Sequence, residues 1–287
     1  MFSVPALPAE LDQLHSGIAR TIAPHIARLV APNGSPMTGA GTNTYLLGNS
    51  VQAVLDPGPN DAAHLAAILR QTMRPTHIFV THTHADHSPA ALALARSTGA
   101  RLVGRAGPAD GRQDLTFVPD AVPADGQVFE FQGFTLRAIA TPGHASNHIC
   151  YLLQPGGILF SGDHLLDGVT PVILAPDGDM TAYLTSLRRL LDEPIQAIAP
   201  GHGRLLREPR KLIEAVIAHR LQRERSVFEI LGKRSRASVA ELVPEVYATT
   251  PVGLHKMAAL TLLAHLIKLR NEARVVEHDG IWSVVDR

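Results

Sequence analysis

Thr81-His82-Thr83-His84-Ala85-Asp86-His87-Ser88-Pro89 packs three imidazoles and a carboxylate into one short stretch. Side chains of these types, crowded this closely, are the donor set of a metal site. The stretch follows His77-Ile78-Phe79-Val80, an apolar run that reads as a short buried strand. It precedes Ala90-Ala91-Leu92-Ala93-Leu94-Ala95, a helical pattern, with Pro89 near the first turn, where proline is tolerated. The donors are therefore expected on a strand-to-helix loop. In extended chain alternate side chains share a face, so His82 and His84 point the same way. A turn at Ala85 lets Asp86 and His87 approach from the other side. That arrangement suits two metal ions better than one.

Working outward, three further donors occupy the same setting. Thr141-Pro142-Gly143-His144 follows the strand-like Phe134–Ala140, and Ser161-Gly162-Asp163 follows Gly157-Ile158-Leu159-Phe160. Pro200-Gly201-His202-Gly203 follows Ile195–Ala199. Each apolar strand ends in a small-residue turn carrying one His or Asp. Glycine permits the sharp bend and the close approach of backbone to a ligand. Four loops at the same kind of strand end can converge on one site.

This set resembles the metallo-β-lactamase superfamily pattern of His-X-His-X-Asp-His, a later His, a later Asp and a last His. All seven positions are filled, and the likeness spans roughly residues 17–203. It implies that His82, His84 and His144 hold one metal, that Asp86, His87 and His202 hold the second, and that Asp163 bridges both. Asp86 and Asp163 are the carboxylates expected to serve catalysis as well. The implied cofactor is a pair of Zn2+ ions, with Mn2+ or Fe as alternatives. Asp56, in Val54-Leu55-Asp56-Pro57-Gly58, matches an early Asp of the superfamily that supports a ligand without touching metal. It is expected to accept a hydrogen bond from a histidine of the 82–87 block. The alternative is that it accepts N–H groups of its own turn, residues 57–60.

The chemistry of such a site is hydrolytic. Two metals about 3.5–4 Å apart can share a hydroxide, and metal lowers the pKa of bound water to about 7. A bridging hydroxide needs no side-chain nucleophile, and the chain has no Gly-X-Ser-X-Gly elbow. Its single cysteine, Cys150, lies in the apolar run His148–Leu153 and reads as a small core hydrophobe.

The chain has 287 residues, 45% of them hydrophobic and 18% charged, enough for a sizeable core and more than one domain. One cysteine excludes an internal disulfide framework and fits a reducing compartment. No apolar run of about 20 residues is evident, so no membrane span is expected. The N-terminal Met1–Pro8 lacks the features of a secretory signal, and a cytoplasmic protein is expected. Net charge is zero, but residues 1–203 carry 11 Lys and Arg against 16 Asp and Glu, a net −5. Residues 204–287 carry 15 against 10, a net +5, either an ordinary solvated surface or an attraction for an acidic partner.

Residues 17–56 read as strands broken by Thr38–Tyr45, whose glycines suit a β-turn better than an anion cradle. An amphipathic helix is expected over 61–72, and strand and helix signals alternate to about residue 199. The resemblance implies an α/β fold, the αβ/βα sandwich, over residues 1–205. Residues 206–287 form a second domain. A long helix pattern covers 209–232, and Ser238 with Glu241 makes a capping box for another helix. A third runs over Met257–Leu269, and Arg274–Val285 forms a hairpin around Asp279-Gly280. Three helices and a hairpin resemble a winged helix.

A winged-helix tail after the last donor histidine resembles the lactamase-like subfamily whose best-known animal members are mitochondrial endoribonucleases; His265–Leu269 and Ala273-Arg274-Val275 carry that likeness. Some fungal polyketide thioesterases share the catalytic-domain pattern. The leading expectation is a dinuclear hydrolase of single-stranded RNA, with the basic tail on phosphates. The tail holds few aromatics for base stacking, and Trp282 and Phe228 read as core. The competing substrates are thioesters, lactones and other carboxylic esters, or a small β-lactam as a side activity. A mononuclear iron dioxygenase is the alternative of a different class, and a winged-helix binder with a structural metal is weaker still, since seven donors exceed one closed site. His219, His255, His265 and His278 read as ordinary helix or surface residues. An oligomer is compatible with the chain.

Overall fold

The computed structural model describes residues 13–72 and 74–285, so the expectation about Met1–Pro8 falls outside the described residues. The chain divides into two compact units. The first takes the chain up to Thr141, Asn147–Val169 and Asp192–Arg210; the second takes Pro142–Ser146, Thr170–Leu191 and the chain from Lys211 on.

The first unit is built on two sheets. One contains β1 (Arg20–Ala23), β2 (Ile26–Val30), β3 (Asn43–Leu47), β4 (Ala53–Leu55), β5 (His77–Phe79) and β6 (Arg101–Val103), in that spatial order. Pairing is antiparallel as far as β4 and parallel across β4, β5 and β6. The two parallel crossovers are helices, α1 (Ala62–Gln71) and α2 (Ala90–Thr98). Asp61 caps α1 by accepting the His64 N–H, and Pro89 takes the N-cap of α2 with a helical φ of −58°. Gly99 closes α2 in the left-handed region at φ 75°, where a Cβ is penalised. The second sheet contains β7 (Val128–Phe131), β8 (Phe134–Ala140), β9 (Ile149–Gln154), β10 (Ile158–Gly162) and β11 (Ala197–Pro200), with only β10 and β11 parallel.

Strand alternation divides the side chains between two cores. Tyr45, Leu55, Phe79 and Val103 face Leu136, Tyr151, Phe160 and Ala199 of the other sheet. Leu46, Val54, Ile78 and Leu102 turn the other way, onto Ile68 and Leu94 of α1 and α2. Both faces of the first sheet are therefore buried, as its near-continuous apolar strands require. The architecture is the expected αβ/βα sandwich, and Cys150 lies in it fully buried.

The second unit contains α3 (Met180–Leu190) and a C-terminal winged helix. The latter comprises α4 (Pro209–Arg234), β12 (Arg236–Ser238), α5 (Val239–Val246), α6 (His255–Asn271), β13 (Val275–His278) and β14 (Ile281–Val284). Ser238 and Glu241 form the expected capping box. The hairpin turns at Asp279-Gly280, and β12 joins it as a third strand that the sequence reading did not anticipate. Trp282 and Phe228 pack into this unit's core with Leu262, Leu266 and Leu269.

Val252–Asn271 is long and apolar enough, by length and composition, to cross a bilayer. Its apolar residues outweigh its few charges when averaged over the whole stretch, although no uninterrupted apolar run exists. In the fold its leucines supply the winged-helix core.

Candidate metal centre

Parallel pairing places the donors. β4 and β5 run side by side with Leu55 opposite Phe79, so the residues just beyond both strands meet. The Thr81 N–H donates to Asp56 Oδ1 at 2.7 Å. β10 and β11 likewise run parallel, Gly162 opposite Pro200, and the Gly201 N–H donates to the Gly162 carbonyl. Asp163 and His202 thus emerge together.

Six of the seven expected donors come together in the first unit. The ligand atoms of His82, His87 and Asp163 lie within 4.8 Å of one another, and so do those of Asp86, His87 and His202. His84 Nδ1 is 2.9 Å from His82 Nε2. His202 Nε2 is 3.1 Å from Asp86 Oδ2 and 3.3 Å from Asp163 Oδ1. His87 Nε2 is 3.4 Å from Asp86 Oδ2 and 3.3 Å from Asp163 Oδ1. It is buried with no hydrogen-bond partner. A buried polar atom without a partner is costly. A nitrogen at such distances from two carboxylates is spaced for a shared cation rather than for a hydrogen bond, so the residues fit a metal.

Three of the imidazoles have one nitrogen fixed by an acceptor, the arrangement expected of metal-binding histidines. His87 Nδ1 donates to Asp56 Oδ2 at 3.0 Å, the hydrogen bond expected from Asp56. His202 Nδ1 donates to the Gly41 carbonyl at 3.3 Å. A carbonyl or carboxylate only accepts, so Nε2 is left to face the cluster in both cases. His144 belongs to the second unit, on the turn after β8. Its Nδ1 donates to the Val172 carbonyl at 2.8 Å. Gly143 beside it has φ 145°, and a Cβ there would stand 2.3 Å from the Tyr183 Cα.

Electrostatics describe a site short of positive charge. Burial opposes ionisation of Asp86, but His87 and His202 outweigh it and hold the carboxyl well below its usual range. Asp163 is also held low, burial again being overcome by His202 and His87. Burial disfavours the imidazolium of His202, yet Asp163 and Asp86 lift it to about 9. His87 is raised for the same reason. A metal dication would supply the positive charge that these carboxylates call for.

Several supporting residues escaped the sequence reading. Asn43 Nδ2 donates to the carbonyls of Pro200 and Gly203, and Tyr45 Oη donates to Pro200, clamping the His202 loop from β3. Thr42 Oγ1 donates to Asp86 Oδ2 at 3.3 Å. The glycine-rich loop is thus a turn, as expected, but one that also carries donors to the cluster. Thr83 donates to Gln113, in the long segment between β6 and β7, and accepts from Asn147, just before β9. Only the threonines flanking the histidines carried any local signal. Gln113 and Asn147 carried none.

Residues 37–202 match the metallo-β-lactamase superfamily, and residues 238–282 match the β-lactamase-associated winged helix domain. The chain belongs to the metallo-β-lactamase superfamily. It is 34% identical over 266 residues to a β-lactamase-like protein 2 homolog of Drosophila melanogaster, covering 87% of this chain and 89% of the relative. It is 31% identical over 270 residues to an atrochrysone carboxyl ACP thioesterase of Aspergillus chevalieri, covering 88% and 83%. A solved metallo-β-lactamase family protein from Thermus thermophilus shares the fold, with a TM-score of 0.76, 23% identity and coverage of 92% and 100%. This member of the superfamily is a metal-dependent hydrolase, and its His and Asp clusters are where the divalent metal of the superfamily belongs.

Proposed function

We propose that this superfamily member is a dinuclear metal-dependent thioester hydrolase. In this reading His82, His84, Asp86, His87, Asp163 and His202 would hold the metal pair. Zinc suits the imidazole-rich set best, with manganese or iron as alternatives. Bound ions supply an activated water and polarise the carbonyl under attack. The chain's own part is to present Nε2 atoms at fixed angles, through Asp56 and Gly41. Thr42 steadies Asp86, and the Asn43 and Tyr45 clamp keeps His202 in place.

The observation that carries the hydrolytic reading is the convergence of donors without a competing nucleophile. Burial pushes the Cys150 thiol up to about 12, so it is not a thiolate near neutral pH. Choice of substrate rests on the thioesterase relatives and on the tail. Several cations of the winged helix are paired within it. Lys268 pairs with Glu224 and Glu272, Arg274 lies 3.7 Å from both, and Arg234 pairs with Glu245. Arg223 and Arg220 donate to the backbone carbonyls of Val246 and Pro171. Tyr247, Phe228 and Trp282 are packed into the core with arginines over their faces, so these rings are not presented for base stacking. These features weigh against the single-stranded RNA expected from the basic tail.

Purified protein offered acyl-coenzyme A, a matched oxyester and labelled single-stranded RNA separates the readings. Thiol release that stops with chelator and returns with zinc is expected. RNA cleavage without thioester turnover would overturn it. Elemental analysis showing a single iron would favour oxygen chemistry instead.

A further inference from the structure

We infer that Thr81 is a positioning residue that relays the charge of Asp56 to His82. One carboxylate thereby orients two donor imidazoles, His87 directly and His82 through a hydroxyl. The inference rests on reading the cluster as a metal centre.

Asp56 is buried and accepts three bonds. Its Oδ1 takes the Thr81 N–H, and its Oδ2 takes the Thr81 hydroxyl at 2.8 Å and His87 Nδ1 at 3.0 Å. A carboxylate cannot donate, so the single hydroxyl proton of Thr81 is committed to Asp56. Thr81 Oγ1 also lies 3.1 Å from His82 Nδ1. Having given its proton away, Oγ1 can only accept there. His82 Nδ1 therefore carries the hydrogen, and Nε2 keeps its lone pair. That Nε2 is the atom 2.9 Å from His84 Nδ1, inside the donor cluster.

The surroundings are shaped for this hydroxyl. Thr81 is fully buried. Gly162, at φ 46°, is the neighbour, and a Cβ there would stand 2.5 Å from Thr81 Oγ1. The His148 ring lies 5.1 Å from the His82 ring, centroid to centroid, and limits its tilt. Packing sets the plane of the ring, while the hydroxyl sets which nitrogen is basic. Partners of this kind typically change metal affinity about 10–100-fold.

The test uses the full chain as wild type, Thr81→Val and Thr81→Ser, each loaded with Co2+. Valine keeps the shape and removes the relay; serine keeps the hydroxyl. Elemental analysis after dialysis, chelator titration and the visible cobalt spectrum are the readouts. Thr81→Val is expected to hold one ion about 10–100-fold more weakly and to shift the cobalt bands, with the other ion retained. Thr81→Ser is expected to restore both. A valine variant with wild-type retention and spectrum overturns the relay. Should valine unfold the chain, Thr81→Ala lacks the hydroxyl without crowding, and the same comparison decides. Wild type that binds no cobalt overturns the metal-centre reading itself, an outcome distinct from the relay's failure.

Discussion

Asp56 Oδ2 lies 3.0 Å from His87 Nδ1, and both side chains are sealed from solvent. Asp56 does not serve its own turn; the Gly58 N–H goes to the His87 carbonyl instead. The residue also holds φ 49°, a left-handed conformation that costs a non-glycine residue about 1–3 kcal/mol and clusters at functional sites. Asp56→Asn keeps the shape and removes the charge. We expect it to fold and to bind metal about 10–100-fold more weakly, as read by competition with a chromogenic chelator. Wild-type affinity would remove Asp56 from the site.

Asp163 stands 3.3 Å from both His87 and His202. Its truncation in Asp163→Ala takes away the carboxylate that stands beside both His87 and His202. Metal content is expected to fall below two per chain, and hydrolysis to fall by orders of magnitude. A variant that keeps two ions and full turnover contradicts the bridging assignment.

Gly201 precedes His202 where nothing larger fits. A Cβ there would sit 2.7 Å from Asp163 Oδ1 and 2.7 Å from His87 Cε1. Overpacking of this kind costs about 1–3 kcal/mol. Gly201→Ala is expected to lose metal affinity more than melting temperature in the metal-free protein. Equal occupancy in the variant and wild type at limiting metal would count against it.

Lys268 is buried with Glu224, 2.9 Å away. Removing one partner of a buried pair costs about 3–5 kcal/mol, and Arg274 near Glu224 places Lys268→Met toward the low end. Burial opposes ionisation of Glu224, but His265 and Lys268 hold its carboxyl below the usual 4.5. A depressed carboxylate stabilises above its unfolded value, and that contribution disappears as pH falls through the folded value. Acid below about pH 4.5 should therefore destabilise wild type. Denaturant melts at several pH values should show the effect blunted in Glu224→Gln.

Much of this was legible in the chain. β8 spans Phe134–Ala140 as read, because alternating apolar residues end at Thr-Pro-Gly. The seven expected donors each stood after an apolar strand closed by small residues. What the chain hid is long-range. Thr81 needed Asp56, 25 residues earlier, and Asn43 needed Pro200, 157 residues later. β12 is three residues long and takes its identity from β14, not from its own sequence. The cations after residue 203 suggested an outward-facing surface. Glutamates four or more residues away had already claimed several of them, which no charge count reveals.

The cluster joins His82 to His202 in a chain with one cysteine. An ion held there is also a staple, closing the long span between those residues as a disulfide does in a secreted domain. Closing a long loop removes freedom chiefly from the unfolded chain. A ligand that binds only the folded form adds about 4.1 kcal/mol when present at 1,000 times its dissociation constant. A bound metal would therefore raise the thermal endurance of this hydrolase, and its removal would lower stability and catalysis together.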